Sequence, residues 1–141
     1  MVKETFAAQG MAMLSLVGRL LFVVRRFAIS LSALLALVIG WLSLAPLTAL
    51  PAAPGGDKLA HIIAYGALAF PISLRDARQF IPFLAVFIAY AGVIELVQPL
   101  VNRYGEWADF AVNGLGCGLG FLAARLARHL FRKTLLAGSG Q

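Results

Sequence analysis

The stretch FAISLSALLALVIGWLSLA, residues 27–45, decides the fold class of this chain. It contains no charged side chain, and an α-helix needs about 20 mainly apolar residues to cross the hydrocarbon core of a membrane. The rest of the chain has the same character, because 61% of its 141 residues are hydrophobic and only 13% are charged. A soluble domain has about 25% charged residues. The composition predicts a membrane protein of one domain and excludes a disordered chain or a large multidomain enzyme.

Three further apolar stretches follow the first. The four predicted spans are residues 27–45, 59–74, 80–101 and 107–124. The joins at 75–79 and 102–106 are so short that neighbouring helices must run antiparallel. The apolar runs are continuous and rich in Leu and Ala, which favours helices over the alternating strands of a membrane β-barrel. We therefore predict an all-α, polytopic bundle of four transmembrane helices over residues 27–124.

The amino-terminal segment, residues 1–26, is predicted separately. Its apolar part, 11–24, is too short to span a membrane and contains Arg19. It is interpreted as an amphipathic interfacial helix that leads into the first span. A cleaved signal peptide is the alternative, since TALPAA at 48–53 offers small residues. The long basic region and the length of the apolar run argue against cleavage.

The basic residues are distributed unevenly along the chain. Ten of them fall on one side of a four-span bundle: Lys3, Arg19, Arg25, Arg26, Arg75, Arg78, Arg125, Arg128, Arg132 and Lys133. Lys58 and Arg103 fall on the other side. Positively charged flanks remain in the cytoplasm, so we predict that both termini are cytoplasmic. The basic tail, 125–141, is expected to contact anionic lipid headgroups. Membrane lipids are the predicted partners and nucleic acid is not.

The few polar residues inside the predicted spans fall at a similar depth. The cluster comprises Asp57, Lys58, His61, Tyr65, Glu95, Gln98, Arg103, Asp109 and Asn113. With a rise of about 1.5 Å per residue, three helices bring these side chains to the outer third of the bilayer. A carboxylate such as Glu95 is costly in lipid unless it has a partner, a proton or water. Lys58, His61 and Arg103 are the candidate partners. The pattern predicts a polar pocket open to the outside.

Four glycines in the last span form two overlapping GxxxG patterns, Gly114 with Gly118 and Gly116 with Gly120. Small residues at this spacing allow another helix to approach closely. Packing within the bundle is favoured over a dimer interface, although a homo-oligomer stays an alternative. Cys117, between them, is interpreted as a small packing residue. A single cysteine also excludes a disulfide within the chain.

The polar residues also resemble a known family pattern. The segments DKLAHIIAYGAL at 57–68, ELVQP at 95–99 and RYGEWADFAVNGLGCGLG at 103–120 resemble the VanZ-like family of small bacterial membrane proteins. The family pattern is D-K-x-x-H-x-x-x-Y, then E-x-x-Q, then R, then D-x-x-x-N-x-x-G, whose last glycine matches Gly116. Family members often have a small hydroxylated residue shortly before the aspartate, where this chain has Glu-Trp-Ala at 106–108. The resemblance implies the bacterial cytoplasmic membrane, an envelope role, and a connection with teicoplanin and glycopeptide resistance.

Three functions are compatible with the sequence. The leading hypothesis is binding of a lipid-linked or amphiphilic envelope ligand, or of a glycopeptide antibiotic, with Lys58 and Arg103 holding an anionic or polar head. The first alternative is an intramembrane enzyme with His61 as the base and Glu95 or Asp109 as the acid. The second is an assembly subunit whose polar residues only fasten helices together. No cofactor is predicted, and no metal, because the spacing of His61, Glu95 and Asp109 is not diagnostic.

Overall fold

A computed structural model describes residues 2–45, 57–101 and 105–132 of the chain. Its helices are α1 (Val2–Arg26), α2 (Ala28–Leu44), α3 (Asp57–Arg75), α4 (Phe80–Val97) and α5 (Trp107–Leu130), with short 3₁₀ helices at Ala77–Gln79 and Gln98–Val101. Every element in these ranges is helical, so the all-α prediction is confirmed for them. The TALPAA segment, Arg103 and the end of the basic tail lie outside the described residues.

Two of the described helical stretches are long and apolar enough to cross a membrane, Ala77–Val101 and Trp107–Leu130. A third span is present if Ala12–Arg26 and Ala28–Leu44, which are bent by 79° against each other, are counted together. The prediction of membrane-crossing helices is confirmed to this extent. Taken alone, α2 has 17 residues, and α3 begins with the charged pair Asp57 and Lys58.

The helix bounds differ from the predicted segments at two places. The first helix begins at Val2, whereas the apolar pattern indicated only residues 11–24. The last helix continues to Leu130, so the start of the predicted tail, 125–130, is helical. Arginine and alanine are good helix formers and no Gly or Pro interrupts this segment, so the helix extends beyond the end of the apolar run.

The surface of the bundle is apolar and part of its interior is polar. Leu37 and Leu96 are each 72% exposed, and Trp41 is 71% exposed. The buried polar residues are Ser32, Ser73, Gln98, Asp109 and Asn113. Soluble proteins rarely expose contiguous apolar surface of this kind, whereas membrane helices place apolar side chains toward lipid and polar ones between helices.

The closest contact between helices joins α3 to α5, and it depends on glycine. A Cβ atom added to Gly116 would lie 2.6 Å from the Ile62 carbonyl oxygen. A Cβ on Gly120 would collide with the carbonyl of Gly66. The two backbones are therefore in direct contact, and the Gly116/Gly120 pattern packs inside the bundle.

The other pair of glycines is placed differently. A Cβ on Gly114 would lie 3.5 Å from Ile88 Cδ1 of α4, which is an ordinary contact, and a Cβ on Gly118 would meet nothing within 4 Å. Cys117 is fully buried in the core formed by α2, α3, α4 and α5. The two overlapping patterns thus face different surroundings, and only Gly116 and Gly120 contribute to the contact with α3.

Hydrogen bonds fasten α2 to its neighbours. The Ser32 hydroxyl donates to the Leu68 carbonyl of α3 at 2.8 Å, and the Tyr90 hydroxyl of α4 donates to the Ala36 carbonyl. The contacts between helices fix their directions: α2 and α4 run one way, and α3 and α5 run the other. The helices that follow α1 therefore alternate in direction, as in an up-and-down bundle.

Candidate functional site

The first turns of α3 and α5 lie side by side and carry a cluster of polar residues. The Nδ1 atom of His61 is 2.9 Å from Oδ1 of Asn113. Its Nε2 atom is 3.8 Å from a carboxylate oxygen of Asp57 and 3.8 Å from one of Asp109. Residues four apart share a helix face, so the spacing of 57 with 61 and of 109 with 113 presents both pairs to the same interface.

Lys58 connects this group to the loop before α5. Its Nζ atom lies 3.3 Å from Oε2 of Glu106 and 3.9 Å from Oδ1 of Asp109. The side chains of Lys58 and Glu106 are 57% and 54% exposed, whereas that of Asp109 is only 6% exposed. Lys58 therefore pairs mainly with a surface carboxylate and lies beyond hydrogen-bonding distance of the buried one.

Glu95 of α4 is held by the same loop. Its Oε2 atom accepts a hydrogen bond of 3.0 Å from the backbone N–H of Glu106. The loop reaches Glu95 because residue 105 is glycine: a Cβ there would lie 2.5 Å from the Glu95 carbonyl oxygen. The sequence suggested Lys58, His61 or Arg103 as partners of Glu95. Neither Lys58 nor His61 bonds to it in the described part of the chain, and Arg103 lies outside that part.

Two of the predicted site residues lie away from this group. The Gln98 amide donates to the Ser43 carbonyl of α2 at 3.3 Å, so it links helices. Tyr65 is 1% exposed and lies in the apolar core with Ile94 and Cys117. Arg103 lies outside the described residues. The structure thus brings together six of the nine predicted residues: Asp57, Lys58, His61, Glu95, Asp109 and Asn113.

Three potential metal ligands also meet in this cluster. One ligand atom from each of Asp57, His61 and Asp109 lies within 4.8 Å of the other two. Two carboxylates and an imidazole form a donor set that divalent cations accept. The possible ligands considered from the sequence were His61, Glu95 and Asp109. In the structure Asp57 takes the place of Glu95 in this set.

Among the described residues of the cluster, carboxylates outnumber basic side chains. Its carboxylates are Asp57, Glu95, Glu106 and Asp109, and the one described lysine beside them is Lys58. Oε1 of Glu95 and Oδ1 of Asp109 are buried and accept no hydrogen bond within the described residues. Buried acceptors without donors are costly, so this site favours a group that brings hydrogen-bond donors or positive charge. Of the anionic or polar head expected from Lys58 and Arg103, this arrangement suits the polar one.

Sequence reasoning missed the roles of Gly105 and Glu106. Both lie in a short join, where no helical periodicity indicates which side chains meet. The one signal was local: at 106 the chain departs from the small hydroxylated residue that is common in the VanZ-like pattern. The structure shows Glu106 bridging Lys58 and Glu95 through its side chain and its backbone.

Compared with protein-family models, with curated proteins and with solved structures, the chain matches none.

Proposed function

We propose that this chain is a VanZ-like protein of the bacterial cytoplasmic membrane that crosses the bilayer four times with α2, α3, α4 and α5. The alternating directions of these helices support this topology. The 79° bend between α1 and α2 supports an interfacial position for α1, because a helix nearly perpendicular to a span lies along the membrane surface. The excess of Lys and Arg on one side supports cytoplasmic termini.

At its outer end, in this proposal, the protein binds the polar head of an envelope amphiphile. The observation that carries the proposal is the pair of buried carboxylate oxygens, on Glu95 and Asp109, that no donor among the described residues reaches. An ammonium, amide or hydroxyl group entering the cluster would supply these donors. Lipid-linked cell-wall precursors and glycopeptide antibiotics are amphiphiles with such groups, and binding them would contribute to antibiotic resistance or envelope homeostasis.

The apolar surroundings suit the rest of such a ligand. Leu59 and Ile63 on α3 are 42% and 62% exposed, and Trp107 at the start of α5 is 82% exposed. These side chains lie in the same turns as the polar cluster. An amphiphile whose head occupies the cluster would therefore lay its apolar part along helix surfaces that already face lipid.

Binding is tested with Glu95→Gln and Asp109→Asn, which remove charge while nearly preserving shape. The purified variants are incubated with bacterial lipid extract, and bound lipids are identified by mass spectrometry. Teicoplanin susceptibility is measured in cells that express each variant. We expect both variants to lose the selected lipid, and Asp76→Asn, an acid at the far end of the bundle, to retain it. If both variants retain wild-type binding and susceptibility, the cluster only fastens helices together.

An intramembrane hydrolase or transferase is the second candidate. It is favoured by the position of His61, which has an amide on one ring nitrogen and two carboxylates near the other. Such an imidazole is placed to accept a proton from a hydroxyl or water nucleophile. The test is turnover of an envelope lipid or glycan by the purified protein. Turnover that His61→Ala abolishes would favour this function, whereas binding without turnover favours the first.

A further inference from the structure

A cavity of about 520 Å³ lies at the opposite end of the bundle from the polar cluster. Its lining includes the four arginines Arg25, Arg125, Arg128 and Arg132, with Leu74 and Ala77 as apolar neighbours. On α5 the distance from Asp109 to Arg125 is about 24 Å at a rise of 1.5 Å per residue. This length is close to the hydrocarbon thickness of a bilayer, about 30 Å, so the cavity lies near the other interface.

The arginines converge on the cavity from two helices. Arg125 and Arg128 are three residues apart and share one face of α5, and Arg132 reaches the cavity from just beyond the end of that helix at Leu130. Arg25 comes from the last turn of α1. The end of α1 is held there because Leu21 packs in one apolar cluster with residues of α3 and α5. The cavity is therefore formed by packed helices and not by the carboxyl-terminal tail alone.

Among the residues that line the cavity, the charged side chains are arginines. Within the described residues, no carboxylate pairs with Arg125, Arg128 or Arg132. Asp76, next to the lining residue Ala77, accepts the backbone N–H of Arg78 at 2.9 Å and does not itself line the cavity. Several guanidinium groups in one cavity repel each other, so their arrangement favours a bound anion.

The guanidinium groups of Arg128 and Arg125 differ in their contacts. Nη1 of Arg128 is buried and donates no hydrogen bond within the described residues. A buried donor without an acceptor is costly. The guanidinium of Arg125 lies 5.7 Å from the centre of the Phe121 ring, a cation–π contact that restricts its position. One group is therefore unsatisfied and the other is held in place.

We propose that this cavity binds a phosphate group at the cytoplasmic face. The planar guanidinium donates two parallel hydrogen bonds and matches phosphate oxygens better than a lysine does. Basic pockets between membrane helices on the cytoplasmic side are suited to phospholipid headgroups. The phosphate is supplied either by a lipid headgroup or by a free phosphate compound, and the two sources share the same recognition. The cytoplasmic position of this site rests on the topology proposed above, whereas its binding of phosphate does not depend on the function of the outer cluster.

The experiment uses the full chain purified in detergent, with two arms. In the first, phosphatidylglycerol and zwitterionic phosphatidylcholine are added in turn, and bound lipid is counted by native mass spectrometry. In the second, inorganic phosphate and pyrophosphate are titrated calorimetrically. We compare wild type with Arg125→Gln, Arg128→Gln and Arg132→Gln. Arg78→Gln is the matched control, because Arg78 is exposed at the same end but does not line the cavity.

Each cavity variant is expected to weaken binding about tenfold, the effect of losing a charge-assisted hydrogen bond, while Arg78→Gln has no effect. If the cavity variants lose binding only of phosphatidylglycerol, the site takes a lipid headgroup. If they lose binding of inorganic phosphate or pyrophosphate, the site takes a free phosphate compound. If Arg128→Gln fails to fold, Arg125→Gln and Arg132→Gln still decide. The proposal is overturned if wild type binds phosphatidylglycerol no better than phosphatidylcholine and also binds neither inorganic phosphate nor pyrophosphate. It is overturned as well if Arg78→Gln weakens binding as much as the cavity variants do.

Discussion

The two ends of the parallel helix pair α3 and α5 differ in charge and in bonding. At the end formed by their first turns, carboxylates predominate and most polar groups meet inside the fold, as His61 meets Asn113. At the far end arginines predominate, and no described carboxylate pairs with Arg125, Arg128 or Arg132. Between the ends, Gly66, Gly116 and Gly120 bring the two backbones into contact.

The difference between the two ends shows where a chain with few charged residues places them. The glycine contact joins the two backbones directly, so it sets the distance between the helices without using any polar side chain. The polar side chains are then free to concentrate at the ends, where water and headgroups reduce the cost of a charge. The opposite signs of the ends agree with the preference of positive flanks for the cytoplasm.

The largest expected effect is in thiol labelling, which is all or none and reports which end of the bundle faces outward. In a Cys117→Ala background, Ala108→Cys and Arg78→Cys place single thiols at the two ends. We expect a membrane-impermeant maleimide to label position 108 in intact cells and position 78 only after permeabilisation. Equal labelling of both positions in intact cells would show that the two ends are not on opposite sides of the membrane.

The glycine contact is expected to have the next largest effect. Gly116→Ala and Gly120→Ala each place a Cβ against a backbone carbonyl, which cannot rotate away. We expect each to destabilise the fold by about 3 kcal/mol, the upper range for overpacking, as measured by unfolding in mixed micelles. Gly118→Ala is the control, because it meets nothing within 4 Å and alanine favours helix by up to about 1 kcal/mol. Equal destabilisation by all three variants would show that the contact of Gly116 and Gly120 with α3 has no special role in stability.

The bond between His61 and Asn113 tests whether the acid-rich end is fastened across helices. A double-mutant cycle with His61→Ala and Asn113→Ala is expected to give a coupling energy of about 1 kcal/mol, within the range for bonds between membrane helices. Asn113→Ala combined with Lys58→Ala serves as the reference cycle, since no described bond joins those two residues. A coupling energy as large in the reference cycle would argue against a direct bond.

The smallest effect is expected for Lys58 and Glu106. Both side chains are more than half exposed, so Lys58→Ala is expected to change the free energy of unfolding by less than about 1 kcal/mol. Because salt screens exposed charges, the difference between Lys58→Ala and wild type is expected to shrink further in 1 M NaCl. A loss that is large and independent of salt would mean that Lys58 acts chiefly on the buried carboxylate of Asp109.

Helical periodicity was sufficient to indicate much of the architecture. Continuous apolar runs predicted helices, and spacings of four residues placed Asp57 with His61 and Asp109 with Asn113 on shared faces, which the structure brings together. Periodicity is a property of a single helix, so it carries no information on which helix lies opposite. The contact of Gly116 with Gly66 was missed for that reason, because Gly66 stands alone in its segment.

Two further features depend on turns, which the pattern does not describe. Glu95 finds its partner in a backbone N–H because the chain folds back at Gly105. The arginine cavity needs Arg25 beside α5, and that position depends on the bend at Phe27 between α1 and α2. The spacing of Arg125, Arg128 and Arg132 is visible in the sequence, but by itself it indicates only a basic tail that contacts lipid headgroups.

We claim above all that the acid-rich end selects an envelope amphiphile by its head, and photo-crosslinking in live membranes is the sharpest test of this claim. A photoreactive residue is placed at position 95 and, as the matched control, at position 93, where Val93 is 58% exposed on the same helix. We predict that position 95 captures one amphiphile whose head carries ammonium, amide or hydroxyl donors, and that position 93 captures bulk phospholipids. The same mixture of bulk phospholipids from both positions would contradict the claim.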